Sequence, residues 1–125
     1  METPLQLTKE FHEAFDIYLQ DTPGDIPEEV KQLRINLMTE ELKEVIDAMK
    51  DEPLEHIAKE LADLTCAIYG TVLSYGMADH WNDIFSEMTR SNMSKLDEDG
   101  NPIKREDGKI LKGPNFSEAN IVLKK

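Results

Sequence analysis

A chain of 125 residues holds one domain (1–125) with room for a single core. Aromatic residues make up only 6% of it, so the core is mostly aliphatic, which suits packed helices better than a sandwich or barrel. The 26 acids against 14 bases give a formal net charge of −12; that excludes nucleic acid and anionic membrane as partners, and any anionic substrate then needs a cation or a local basic cluster.

In chain order, residues 5–20 place Leu7, Phe11, Phe15 and Tyr18 at roughly helical spacing. The run Asp21-Thr22-Pro23-Gly24-Asp25-Ile26-Pro27 reads as a loop. Pro27 suits a first helical turn, and Glu28 and Glu29 follow where the helix dipole favours acids. The second helix runs to about Lys50, and a break at Asp51-Glu52-Pro53 leads into a third that ends near Gly76. A fourth starts around Ala78 and is expected to turn Trp81, Ile84, Phe85, Met88 and Met93 inward. From Asp97 onward, turn signals at Asp99-Gly100-Asn101-Pro102 and Glu106-Asp107-Gly108 predict a β-hairpin pairing 103–105 with 109–111, then an irregular tail. The expected fold is all-α: an antiparallel four-helix bundle over residues 5–96, with a short C-terminal β-hairpin and tail over 97–125. The single cysteine, Cys66, rules out an intrachain disulfide and sits among apolar residues, which fits a core position in a reducing compartment. The first residues, Met1-Glu2-Thr3-Pro4, lack the pattern of a signal peptide or membrane span, so the expected location is cytoplasmic.

Two pairs of acids fall where helical periodicity expects apolar residues. On the second helix, Val30, Leu33, Leu37, Val45 and Ala48 share a face with Glu41 and Glu44, and Ile35, Met38, Leu42, Ile46 and Met49 form a second apolar stripe opposite. The third helix has a main apolar row of Ile57, Leu61, Leu64, Ile68 and Val72, widened by Ala58, Ala62, Cys66, Tyr69 and Leu73. It leaves a narrow strip of Glu60, Asp63, Ala67, Gly70 and Ser74. Acids three apart lie on one helix face, and antiparallel packing of the two helices brings the pairs together. Most Glu-x-x-acid pairs are solvated surface, but four carboxylates bordering apolar faces are costly unless compensated. A hard divalent cation compensates them, and oxygen-only donors select Mg2+, or Mn2+, over zinc. The spacing lacks the histidine three residues on that a di-iron bundle site requires. His56, one turn before Glu60, reads as ordinary surface.

Glu41-Leu42-Lys43-Glu44 followed by Glu60-Leu61-Ala62-Asp63 resembles the signature of the all-α nucleoside triphosphate pyrophosphohydrolases. That superfamily includes MazG proteins, phosphoribosyl-ATP pyrophosphohydrolase and dimeric dUTPases. Phe11-His12-Glu13-Ala14-Phe15, Ser91-Asn92-Met93-Ser94-Lys95-Leu96 and the tail from Arg105 to Phe116 resemble its MazG-like branch, so the likeness covers nearly the whole chain. It implies a homodimer or homotetramer that hydrolyses a nucleoside triphosphate to the monophosphate and pyrophosphate, in nucleotide-pool cleansing. It implies Mg2+ on Glu41, Glu44, Glu60 and Asp63, water activation by Glu40 or Glu41, and substrate contacts from Asn92, Lys95 and Lys112. Arg90 is a further base available to phosphate, and Phe11, Phe15, Tyr69 and Trp81 are candidates to stack on a base. Two alternatives stand beside this reading: a non-catalytic helical interaction module, and a pyrophosphohydrolase of a phosphoribosyl nucleotide.

Overall fold

The computed structural model describes residues 2–51 and 53–123. Among the described residues there are four α-helices: α1 (Pro4–Ala14), α2 (Glu28–Asp51), α3 (Leu54–Ser74) and α4 (Trp81–Met93), with a 3-10 turn at Ala78–His80 leading into α4. The chain divides into two compact units, one built from residues up to Asp79 and the other from His80–Leu123. None of the helices is long and apolar enough to cross a membrane among the described residues.

In the first unit, α3 packs against both α1 and α2. Helix α2 ends at Asp51 and α3 begins at Leu54, and a turn that short between packed helices makes them antiparallel neighbours. Helix α1 opens on a capping box, in which Thr3 Oγ1 accepts from the Gln6 amide and Gln6 Oε1 accepts from the Thr3 amide. It stops at Ala14, short of the expected residue 20. Asp16 adopts a left-handed φ of 54°, a conformation that Asp tolerates better than most residues. The Ile17 amide then donates back to the His12 carbonyl, closing the helix end. Residues 17–24 dock on the end of α3 instead of extending α1. Ser74 Oγ donates to the Tyr18 carbonyl, the Gln20 amide to Leu73, and the Gly24 amide to Tyr75. Gly76, with φ 73°, completes a Schellman end for α3: its amide donates to Leu73 and that of Met77 to Val72.

The burial of α3 reverses the expected one. Its buried residues are Glu60, Ala67, Gly70, Val72, Leu73 and Ser74, which is largely the narrow strip. Leu61, from the main apolar row, is 47% exposed, and Ile68 is exposed as well. Small side chains let α1 and α2 approach α3 closely, and that approach outweighs the width of the apolar row. On α2, Arg34 is buried with Val45 and Ala48 while Leu33 is exposed, and so are Ile35, Leu42, Ile46 and Met49 of the second stripe. Among the described residues, the buried set is as rich in polar side chains (Thr8, His12, Arg34, Glu60, Ser74, Ser91) as in apolar ones. A core of that composition needs each polar group satisfied.

In the second unit, the less exposed face of α4 carries Trp81, Ile84, Met88 and Ser91, which recur at three- and four-residue spacing. Phe85 and Met93, expected inward, lie off that face and are exposed. The tail returns to the end of α4, where Ser91 Oγ donates to the Ser117 carbonyl and the Ser117 amide to Ser94 Oγ. The expected hairpin reduces to a turn closed by one isolated antiparallel bridge, Lys104 with Ile110, and no strand forms among the described residues. Two three-residue runs without a third strand or a covering helix are too short to sustain a ladder.

Candidate active site

Glu41 and Glu44 reach from α2, Glu60 and Asp63 from α3. Carboxylate oxygens of Glu41, Glu60 and Asp63 lie within 4.8 Å of one another. Glu44 joins them: a carboxyl–carboxylate contact with Glu60, then the Glu41 charge and burial, push its carboxyl above the ordinary range. Glu60 is only 4% exposed. Burial opposes its ionised form, yet hydrogen bonding from Glu44 and Lys59 and the Lys59 charge hold it below the usual value. The two neighbouring acids are thus pushed in opposite directions, Glu44 up and Glu60 down.

Positive charge inside this cluster comes from residues that periodicity alone passes over. Lys59 Nζ lies 2.8 Å from Asp63 and 3.2 Å from Glu60, and both acids raise its pKa. His56 Nε2 is 3.3 Å from Glu60, so it is a partner of the cluster rather than ordinary surface. The sequence signal was there: His56, Lys59, Glu60 and Asp63 repeat at three and four residues. Even so, Glu41 Oε2 and Glu60 Oε2 are buried without a hydrogen-bond partner. Two carboxylates with an orphaned oxygen each, converging with a third acid, form a donor set of the kind a hard cation takes.

Beside the acids lies a cavity of about 320 Å3, lined by Phe11, Ile17, Leu37, Cys66 and Ala67, with Glu41 and Asp63 on one side and His12 and Arg34 also in its wall. Arg34 is 4% exposed and His12 2%. The Arg34 guanidinium donates from Nη2 to the Ala67 carbonyl (2.9 Å) and from Nε to Thr71 Oγ1 (3.2 Å). Sequence reasoning missed this pair. The available signal was register, since Arg34 stands seven residues before Glu41 on the same helical row. Gly70 explains how it fits, because a Cβ there would lie 2.3 Å from Arg34 Nη2 and 2.6 Å from His12 Nε2.

Burial, reinforced by the Arg34 charge, lowers the His12 pKa. The unfolded chain therefore takes up this proton first on acidification. The contribution to stability is full above the ordinary value of 6.5 and is lost as pH falls through the lower folded value. Urea midpoints compared between about pH 7.5 and 5 are expected to fall less steeply for His12→Gln than for the wild type; equal slopes would contradict neutral burial of His12.

Glu40 is exposed on α2 and is not one of the three converging acids. In the second unit, Asn92 is exposed with Nδ2 on Met88 Sδ, Lys95 is half-buried, and the Lys112 ammonium stands 4.7 Å over the Phe116 ring. Arg90 is held by a bidentate pair with Glu87 and by the Glu118 carbonyl. Of the aromatic candidates, Phe11 lines the cavity, and the Phe15 ring packs against that of Phe11 at a tilt of 52° with centroids 5.0 Å apart.

A family model described as phosphoribosyl-ATP pyrophosphohydrolase matches residues 8–92. The span contains His12, Arg34, all four acids and Asn92, and stops before Lys95 and Lys112. No curated protein gives a significant match.

Proposed function

This chain belongs to the phosphoribosyl-ATP pyrophosphohydrolase family, among the MazG-like all-α nucleotide pyrophosphohydrolases, and from that premise we propose that it hydrolyses a nucleoside triphosphate to the monophosphate and pyrophosphate. The observation that carries the reading is the convergence of Glu41, Glu60 and Asp63, with Glu44 in contact, where Glu41 and Asp63 also line a nucleoside-sized cavity. Glu41, Glu44, Glu60 and Asp63 are proposed to hold Mg2+, with Mn2+ as a substitute. The cation, when bound, supplies charge neutralisation at the phosphates and a more acidic water.

The protein's own part is placement. The Glu41 carboxylate has a buried oxygen with no partner and is the candidate to orient the attacking water; exposed Glu40 is the alternative. Lys59, already among the acids, balances charge while the site fills. Asn92, Lys95 and Lys112 are proposed as substrate contacts on the family resemblance alone. The exposed stripe of Ile35, Leu42, Ile46 and Met49 on α2 supports a homodimer or homotetramer, since contiguous apolar surface on a small protein marks an interface. Leu42→Glu is expected to shift the sedimentation coefficient to that of a monomer; a wild type that already sediments as a monomer would remove this part of the proposal. The proposed role is cytoplasmic cleansing of the nucleotide pool.

Incubation with each triphosphate and Mg2+ tests the reaction, with monophosphate and pyrophosphate as the expected products. Diphosphate plus orthophosphate would place cleavage at another bond. Absence of turnover with every nucleotide would favour a helical interaction module of the same fold. The family's description favours a second substrate, phosphoribosyl-ATP, which belongs in the same panel.

A further inference from the structure

Arg34 is a buried cation, 4% exposed, for which no ion pair forms among the described residues. Two of its five donor hydrogens are used, on Ala67 and Thr71. Buried charges are otherwise paired, and Arg34 is one of the residues that line the cavity. His12, in the same wall, is buried with an Nδ1 that has no hydrogen-bond partner. As a neutral imidazole it offers one acceptor nitrogen. Gly70 is the residue that permits both groups to sit there.

Distance along α3 separates this pair from the phosphate site. Ala67 and Thr71 lie four and eight residues beyond Asp63, about 6 and 12 Å along the helix axis. A phosphate coordinated through a cation would lie within about 4 Å of the carboxylates. The Arg34 guanidinium, held between Ala67 and Thr71, is therefore set back by roughly a ribose and a ring. The walls between are apolar, with Phe11 and Leu37 placed to cover ring faces.

We propose that this cavity is the base pocket and that Arg34 and His12 select bases with a lactam edge, a ring carbonyl beside a ring N–H. Uracil, thymine, guanine and hypoxanthine share that edge. Arg34 donates to the carbonyl and His12 accepts from the N–H. Cytosine and adenine present an amino donor beside a bare ring nitrogen, the inverse pattern, which sets donor against donor in a buried site. Phosphoribosyl-ATP, an adenine nucleotide, is then disfavoured. The inference rests on the reading of the acids as the phosphate site, but base selection is measurable without phosphate.

Free nucleosides separate the two claims. Calorimetry on the metal-free wild type is expected to show uridine, thymidine and inosine binding at least ~10-fold tighter than cytidine and adenosine. The kcat/KM values of the corresponding triphosphates should differ in the same order by at least ~100-fold. Arg34→Met, close in volume, is expected to bring the uridine-to-cytidine ratio near unity. Should that variant fail to fold, the sole cysteine serves as reporter: Cys66 lies in the cavity wall, and uridine but not cytidine should slow its alkylation. Equal binding of both classes, tighter binding of cytidine or adenosine, or no nucleoside binding or protection at millimolar concentration would overturn the proposal. Triphosphate hydrolysis without lactam preference would overturn it while leaving the reaction standing. Lactam-selective binding without hydrolysis would leave it standing while the reaction falls.

Discussion

Glu41→Gln is expected to lower kcat/KM at least ~100-fold, about 2.7 kcal/mol of barrier, while leaving the metal-free protein as stable as the wild type or more so. The two halves share one cause. Oxygens of Glu41, Glu60 and Asp63 sit within 4.8 Å of each other, with Glu44, its pKa raised by Glu60 and Glu41, against Glu60. Among the described residues, Lys59 is the lysine or arginine that pairs with Glu60 and Asp63, and removing one carboxylate relieves like-charge repulsion. With the cation, the same change deletes a ligand and the candidate water-orienting group. Thermal melts with and without Mg2+ check this alongside the rate: Mg2+ should raise the wild-type Tm and raise that of Glu41→Gln less. A variant that turns over at the wild-type rate would remove Glu41 from the site. A variant that unfolds would mean the cluster is structural.

Gly76→Ala is expected to destabilise the first unit by on the order of 3 kcal/mol, a loss of roughly 10 °C or more in Tm. Gly76 has φ 73°, a region that costs an L side chain. A Cβ there would also lie 2.0 Å from the Thr22 carbonyl oxygen and 2.5 Å from its carbon. Those are backbone atoms in a segment tied to α3 by the Gln20 and Gly24 amides and by Ser74, so rotamer change cannot relieve the clash. Circular dichroism melts read the effect, and an unchanged Tm would show that the 17–24 segment yields freely. By contrast, nothing approaches within 4 Å of a Cβ at Gly100.

Helix existence was legible because breakers and periodicity agree: Pro27 and Pro53 precede α2 and α3, and the acids fall three apart. What the pattern could not rank was which face of a doubly apolar helix turns inward. The small-residue strip of α3 is buried because Ala67 and Gly70 let other helices come close, a property of size rather than hydropathy. Arg34 was passed over for a related reason. Periodicity counts arginine as surface, and only the room above Gly70 makes its burial feasible. The end of α1 depended on one left-handed residue, Asp16, where glycine would have been a plain signal and aspartate is not. The acid pairs were readable since their misplacement on apolar faces is a conflict within one helix. Lys59 and His56 share the three- and four-residue spacing of Glu60 and Asp63, but so common a spacing took on meaning only with their distances to Glu60.

Hydrolysis of the favoured triphosphate with Mg2+ in 18O-enriched water tests the central claim most directly. Attack at the α-phosphorus places one 18O in the monophosphate and none in the pyrophosphate, and that is the expected result. Label in the pyrophosphate, or release of orthophosphate as the first product, would contradict it.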